Sequence, residues 1–258
     1  MTNIHFERGA IDAGGCISNG WELVKRNLGL YVGAGLVAMI MLSCIPIVNF
    51  FLLGPVMGGF AYIVLKDMRD EPVDFGMLFK GFEKFVPLMI VGIIQAIPGI
   101  IFQIIQWTVD ISRLVGGSGA VDQTFYQSGG IEPLQAGLAA GIFVVFFVYI
   151  VFQMIWNAAL IFAIPLIVEH DIGVIEAIKV SFSAVFGNLG GLVVLMILGG
   201  LVGLLGFLAL CFGILVAIPV VWAANVFAYR QVFPRIDQHF NMAPPPPSAY
   251  GSNFGSGM

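Results

Sequence analysis

Residues 27–65 read NLGLYVGAGLVAMIMLSCIPIVNFFLLGPVMGGFAYIVL, without a single Asp, Glu, Lys or Arg. A soluble domain does not bury an apolar run of that length, whereas a helix crossing a bilayer core needs about 20 apolar residues. The run therefore holds two spans, with a tight turn near 43–49. Three more stretches behave alike: 84–109 apart from Lys84, 133–168 and 188–229. They hold one, one and two spans. The chain is read as all-α, a polytopic helical membrane protein with six transmembrane helices at about 28–45, 47–65, 86–106, 137–168, 189–209 and 212–230.

Composition agrees. Hydrophobic residues make up 59% of the 258 and charged residues 10%, against roughly 25% charged in a typical soluble domain. The net charge of −4 comes with no basic run able to neutralise phosphates, so nucleic acid is not a partner. The first 27 residues carry Glu7, Arg8, Asp12, Glu22, Lys25 and Arg26, and no apolar core of a cleavable signal is visible there.

Six spans place both termini on one side. Arg8, Lys25, Arg26, Lys66, Arg69, Lys80, Lys84, Lys179, Arg230 and Arg235 then share that side, and Arg113 alone lies opposite. Because Lys and Arg collect in cytoplasmic loops, both termini are expected in the cytoplasm, with the protein in the cell (inner) membrane. The stretch 133–168 is long for one helix and short for two. Splitting it would put Lys179, or Arg230 and Arg235, on the wrong side, so it is read as one long tilted helix. The outer face is then sparse, and its loop at 107–136 contains the glycine-rich stretches 116–119 and 128–130.

The chain reads as one unit used three times, over 14–71, 72–171 and 172–235. Each opens with an amphipathic segment, crosses, and returns through a span marked by Pro55, Pro165 or Pro219. In the second unit Phe75, Leu78, Phe79, Phe82 and Phe85 recur at helical spacing opposite Lys80, Glu83 and Lys84. In the third, Ile175, Ile178, Phe182, Val185 and Phe186 oppose Glu176 and Lys179; in the first, Ile17, Trp21, Val24 and Leu28 oppose Glu22 and Arg26. Such segments lie in the membrane interface with the apolar face among lipid chains. That gives three cytoplasmic interfacial amphipathic helices. The polar segment 1–13 precedes this membrane domain of 14–235, and a Pro-rich tail over 236–258 reads as disordered.

No charge falls within a span. The intramembrane polar set is Gln95, Gln103, Gln153, Asn157 and Asn225. Amides in lipid more often bond across helices, for roughly 0.6 kcal/mol each, but a cluster of them also lines a path for a polar solute. Gln153 and Asn157 share a face, with Trp156 beside them. Gly29 and Gly33, Gly54 and Gly58, Gly137 and Gly141, and Gly199 and Gly203 are each four apart, the spacing that lets helix backbones approach. Pro98 in mid-span removes a backbone bond and predicts a kink.

Cys16, Cys44 and Cys211 form no CxxC pattern. Topology puts Cys44 and Cys211 at outer span ends, where an oxidising exterior permits a bridge, although free buried thiols are the default. The acidic turn Asp67, Asp70, Glu71 and Asp74 and the group Glu169, His170 and Asp171 read as solvated span ends and helix caps. No phosphate loop, nucleophile elbow or zinc helix is present, and no cofactor, metal or catalytic residue is expected.

The stretch Pro165-Leu166-Ile167-Val168-Glu169 through Glu176-Ala177-Ile178-Lys179, with Ser181 and Asn188, resembles a broad family of prokaryotic multi-pass membrane proteins of unknown function. So does the stretch from Gly213-Ile214-Leu215-Val216 to Pro219 and Ala228-Tyr229-Arg230. These are similar to the membrane domain accompanying some glycerophosphodiester phosphodiesterases. No catalytic residue carries over, since the phosphodiesterase domain itself does not appear in the sequence. The function expected is therefore non-enzymatic, organising membrane lipids or a membrane or cytoplasmic partner protein. The alternative is a transporter or channel for a small neutral or amphiphilic molecule.

Overall fold

The structure is a computed structural model and describes residues 4–43, 46–115 and 133–234. All its regular secondary structure among those residues is helical. The elements are α1 (Ala13–Arg26), α2 (Leu28–Ser43), α3 (Pro46–Asp67), a 3-10 helix (Phe75–Lys84), α4 (Phe85–Val115), α5 (Pro133–Leu160), α6 (Ala163–His170), α7 (Val174–Gly187), α8 (Leu189–Leu208) and α9 (Leu210–Val232). Five stretches are long and apolar enough to cross a membrane: Asn49–Asp67, Phe75–Thr108, Phe143–His170, Leu189–Leu208 and Gly213–Val232. The sixth expected span corresponds to α2. Its 16 residues reach only about 24 Å at 1.5 Å per residue, and it meets α1 at a bend of 102°. The protein is thus multi-pass, with five spans, or six when α2 is counted. Cys44, the glycine-rich stretch 116–130 and the tail from 236 lie outside the described residues, and the bridge considered between Cys44 and Cys211 falls with them.

The charge-free runs become helices because a bilayer leaves the backbone no other partner than itself. Prolines interrupt that ladder, and the structure shows what replaces the missing bonds. Pro98 cannot donate to Ile94, so the Ile94 carbonyl accepts instead from Trp156 Nε1 on α5 at 3.0 Å. α4 continues through the proline. At the other site the long helix expected over 133–168 is broken. α5 ends at Leu160 and α6 starts at Ala163, because Pro165 offers no N–H to Ile161. Ser181 on α7, fully buried, donates to the Ala159 carbonyl at 2.8 Å beside the break.

Helix contacts follow the small residues. A Cβ at Gly54 would fall on the Leu88 carbonyl of α4, and one at Gly59 on the Leu78 carbonyl. Gly81 sits against Pro55 in return. Of the four expected pairs, Gly54 and Gly58 both lie on this α3–α4 contact, whereas Gly29 and Gly203 face open space. The close approach of α8 to α9 uses Gly206 against Gly213 instead. The aromatic core joins α2, α3 and α9: Tyr31 meets Phe60 edge-on at 5.9 Å, and Phe60 meets Trp222 at 5.1 Å.

The amphipathic segment of the second unit is a 3-10 helix rather than an α-helix, so residues three apart eclipse. Leu78 and Gly81 are buried against α3. Phe79, Phe82 and Phe85 form a ladder with ring spacings of 6.0 and 6.1 Å, and Lys80 pairs with Glu83 on the third side. The expected stripe is therefore split: Leu78 is inside the protein, while Phe75 and Phe79 are exposed. The other two segments divide the same way. Val24 and Val185 are buried, whereas Trp21, Leu28, Ile175 and Phe186 are exposed.

The polar N-terminal residues are strapped down. Glu7 N–H donates to the Val232 carbonyl at 2.9 Å, and Asp12 N–H to Gln231 Oε1 at 2.8 Å. Asn188 is 2% exposed; it accepts from Ala10 N–H at 2.9 Å and donates to the Glu7 carbonyl at 2.8 Å. Both ends of the described chain therefore lie at one end of the bundle. Asn188→Ala should free this strap at a cost of about 1–3 kcal/mol, since buried partners are left unmade. Hydrogen exchange of residues 7–12 should accelerate while that of α3 does not.

Candidate functional site

Of the span-end charges expected to be solvated, Asp70, Glu71, His170 and Asp171 are exposed, whereas Asp67 and Glu169 are drawn into ion pairs away from solvent. Asp67 is 3% exposed. It pairs with Arg26 and accepts from Tyr31 Oη at 2.8 Å, and Arg26 continues to Asp70 at 3.1 Å. A second node forms at Glu169, which takes Arg230 at 2.7 Å, Arg69 at 3.3 Å and Tyr229 Oη at 2.8 Å. Lys84 donates to the Ile167 carbonyl at 3.0 Å and pairs with Asp171 at 2.9 Å. Buried charges need such partners. The two nodes tie α1, α2 and α3, and α6 and α9, at one charged end.

A chamber of about 430 Å³ lies among the apolar spans. α3 contributes Phe60, α4 Gln95, α5 Met154 and Asn157, α8 Met196, and α9 Trp222 and Asn225. Asn225 precedes Arg230 by five residues and Gln95 follows Lys84 by eleven. At 1.5 Å per residue those heights are about 8 and 16 Å above the charged end, well inside a core about 30 Å thick.

Of the five intramembrane amides, the structure brings three to this chamber: Gln95, Asn157 and Asn225. Asn157 Nδ2 donates to the Gln153 carbonyl at 2.9 Å. Gln95 and Asn225 make no side-chain hydrogen bond among the described residues. They are not paired across a dry helix interface, the more common use of such residues. Gln153 is outside the chamber wall, and its Oε1 is buried without a partner among the described residues. Gln103 is exposed on the C-terminal half of α4. The volume lies in the range of small-molecule sites, which are largely apolar with a few placed polar groups. Its chemistry is that of an apolar wall with donor and acceptor amides and no ionisable side chain. Among the described residues no three of His, Cys, Asp and Glu are grouped to hold a metal, and Cys16 is a buried free thiol.

The ion network was missed because its partners are distant in sequence: Arg26 and Asp67 are 41 residues apart, Tyr229 and Glu169 60. One signal was available. Each of the acidic residues ends a returning span, where a charge at the membrane boundary needs a partner. Comparison with family models, with curated proteins and with solved structures returned no match.

Proposed function

We propose that this multi-pass membrane protein is non-enzymatic and binds an uncharged amphiphilic molecule in the amide-walled chamber, within the plane of the cell membrane. One observation carries the reading: Gln95 and Asn225 face the chamber with their hydrogen-bonding groups unused by the protein. Lipid chains offer such groups no hydrogen-bond partner, whereas a bound hydroxyl or amide does. The wall carries no charge, which disfavours an ionic ligand. The charged end is the cytoplasmic one on the ten-to-one distribution of Lys and Arg. The three amphipathic segments then lie at that interface, with Trp21, Phe79 and Phe186 toward lipid. Their order, each followed by two spans, supports a threefold repeat. Passage of the ligand across the membrane is the second reading; the unused amides at mid-depth favour it over a purely structural role.

The test is binding of a short-chain diol to the purified protein. Gln95→Leu together with Asn225→Leu should weaken it roughly tenfold, the effect of about 1.4 kcal/mol, with the melting temperature unchanged. Undiminished affinity in the folded double variant would remove the chamber from consideration.

A further inference from the structure

The chamber has an apolar neighbour on the side of α5 and α8. Beside it, between α5, α7 and α8, runs a second cavity of about 200 Å³ walled by apolar side chains, among them Ile155, Phe186, Val193 and Ile197. These four are exposed on the lateral surface of the bundle. Groove and chamber share three wall residues, Met154, Ala158 and Met196. α5 is held to the bundle through α4 and α7, so α5 and α8 stand apart as the two sides of a slot. Two methionines and an alanine mark the junction. Methionine is unbranched and adapts its shape, and alanine leaves width.

We infer that the ligand is a chain-bearing lipid with an uncharged, hydroxyl-rich head, which enters sideways between α5 and α8. The head lies among Gln95, Asn157 and Asn225, and the acyl chain lies in the α5–α7–α8 groove. This rests on the chamber reading above and adds the class of ligand and its route. An apolar groove that adjoins an amide-bearing chamber across Met154, Ala158 and Met196 has the two-part polarity of such a lipid. A solute arriving from water would need a polar path to the chamber, whereas the Met154–Met196 slot is bordered by the exposed apolar side chains of Ile155, Val193 and Ile197. The absence of charge in both walls selects a monoacylglycerol-like head over a phosphate-bearing one.

The experiment is photolabelling in phosphatidylcholine vesicles with a monoacylglycerol whose chain carries a diazirine. Label is expected within 151–159 and 185–197, and is displaced by excess unlabelled monoacylglycerol. Met154→Trp and Met196→Trp should abolish this competed label, whereas Met154→Leu and Met196→Leu retain it. Label that spreads over exposed faces such as Phe143–Phe147 and resists competitor on the wild-type protein overturns the inference, whether or not the Trp variants fold. If the short-chain diol binds the chamber while the groove takes no competed label, the chamber reading stands and the lipid inference falls. Competed groove label that is indifferent to Gln95→Leu and Asn225→Leu keeps the groove but overturns the head placement.

Discussion

Glu169→Leu should cost about 3–5 kcal/mol, the effect of removing one partner from a buried charge cluster. Glu169 is largely buried and takes Arg230, Arg69 and the Tyr229 hydroxyl together. The Arg230 side chain is itself only 18% exposed, so it cannot simply rehydrate. Removing the carboxylate leaves two guanidinium groups facing each other at the ends of α3 and α9. Asp67→Leu should cost less, because its partner Arg26 is half exposed and regains water. A thermal melt in detergent checks the order: Glu169→Leu lowest, Asp67→Leu intermediate. Equal, small shifts would show that the network is solvated after all.

The second large effect is at Gly59, and its sign is the diagnostic. In an open helix site Gly→Ala stabilises by up to about 1 kcal/mol through helix propensity. At Gly59 the added methyl would fall on the Leu78 carbonyl of the 3-10 helix. Overpacking of that kind costs roughly 1–3 kcal/mol, and here the obstacle is backbone, which cannot rotate away. Gly59→Ala should therefore lower the melting temperature and expose the 3-10 helix to proteolysis. Gly200→Ala, with nothing within 4 Å of the added carbon, should leave it level or raise it. If both substitutions behave alike, the 3-10 helix is not docked on α3.

The spans were legible because charge-free length is a one-dimensional property, and bilayer thickness converts it directly into helices. The type of the 74–85 segment was not. Phe75, Leu78, Phe79, Phe82 and Phe85 satisfy a period of 3.6 and a period of three almost equally. What selects the tighter helix is the backbone approach of Gly81 to Pro55, a tertiary contact. The break near residue 161 had a signal in Pro165, which the reading took as a marker of the returning span rather than as an interruption. The five amides were legible as residues but not as a site. Whether a glutamine faces a neighbour, a chamber or lipid depends on how its helix is rotated. Gln95 is turned into the bundle, and Gln103, eight residues later, outward. The small-residue pairs show the same limit: Gly54 and Gly58 touch α4, yet Gly203 touches nothing.

The central claim is that the amide chamber holds a ligand, and native mass spectrometry of protein extracted gently from its own membrane tests it most directly. A stoichiometric, uncharged small molecule should be retained, survive mild activation, and be absent from the folded Gln95→Leu/Asn225→Leu protein. An apo mass for the wild-type chain, or an adduct retained equally by the double variant, would contradict the account.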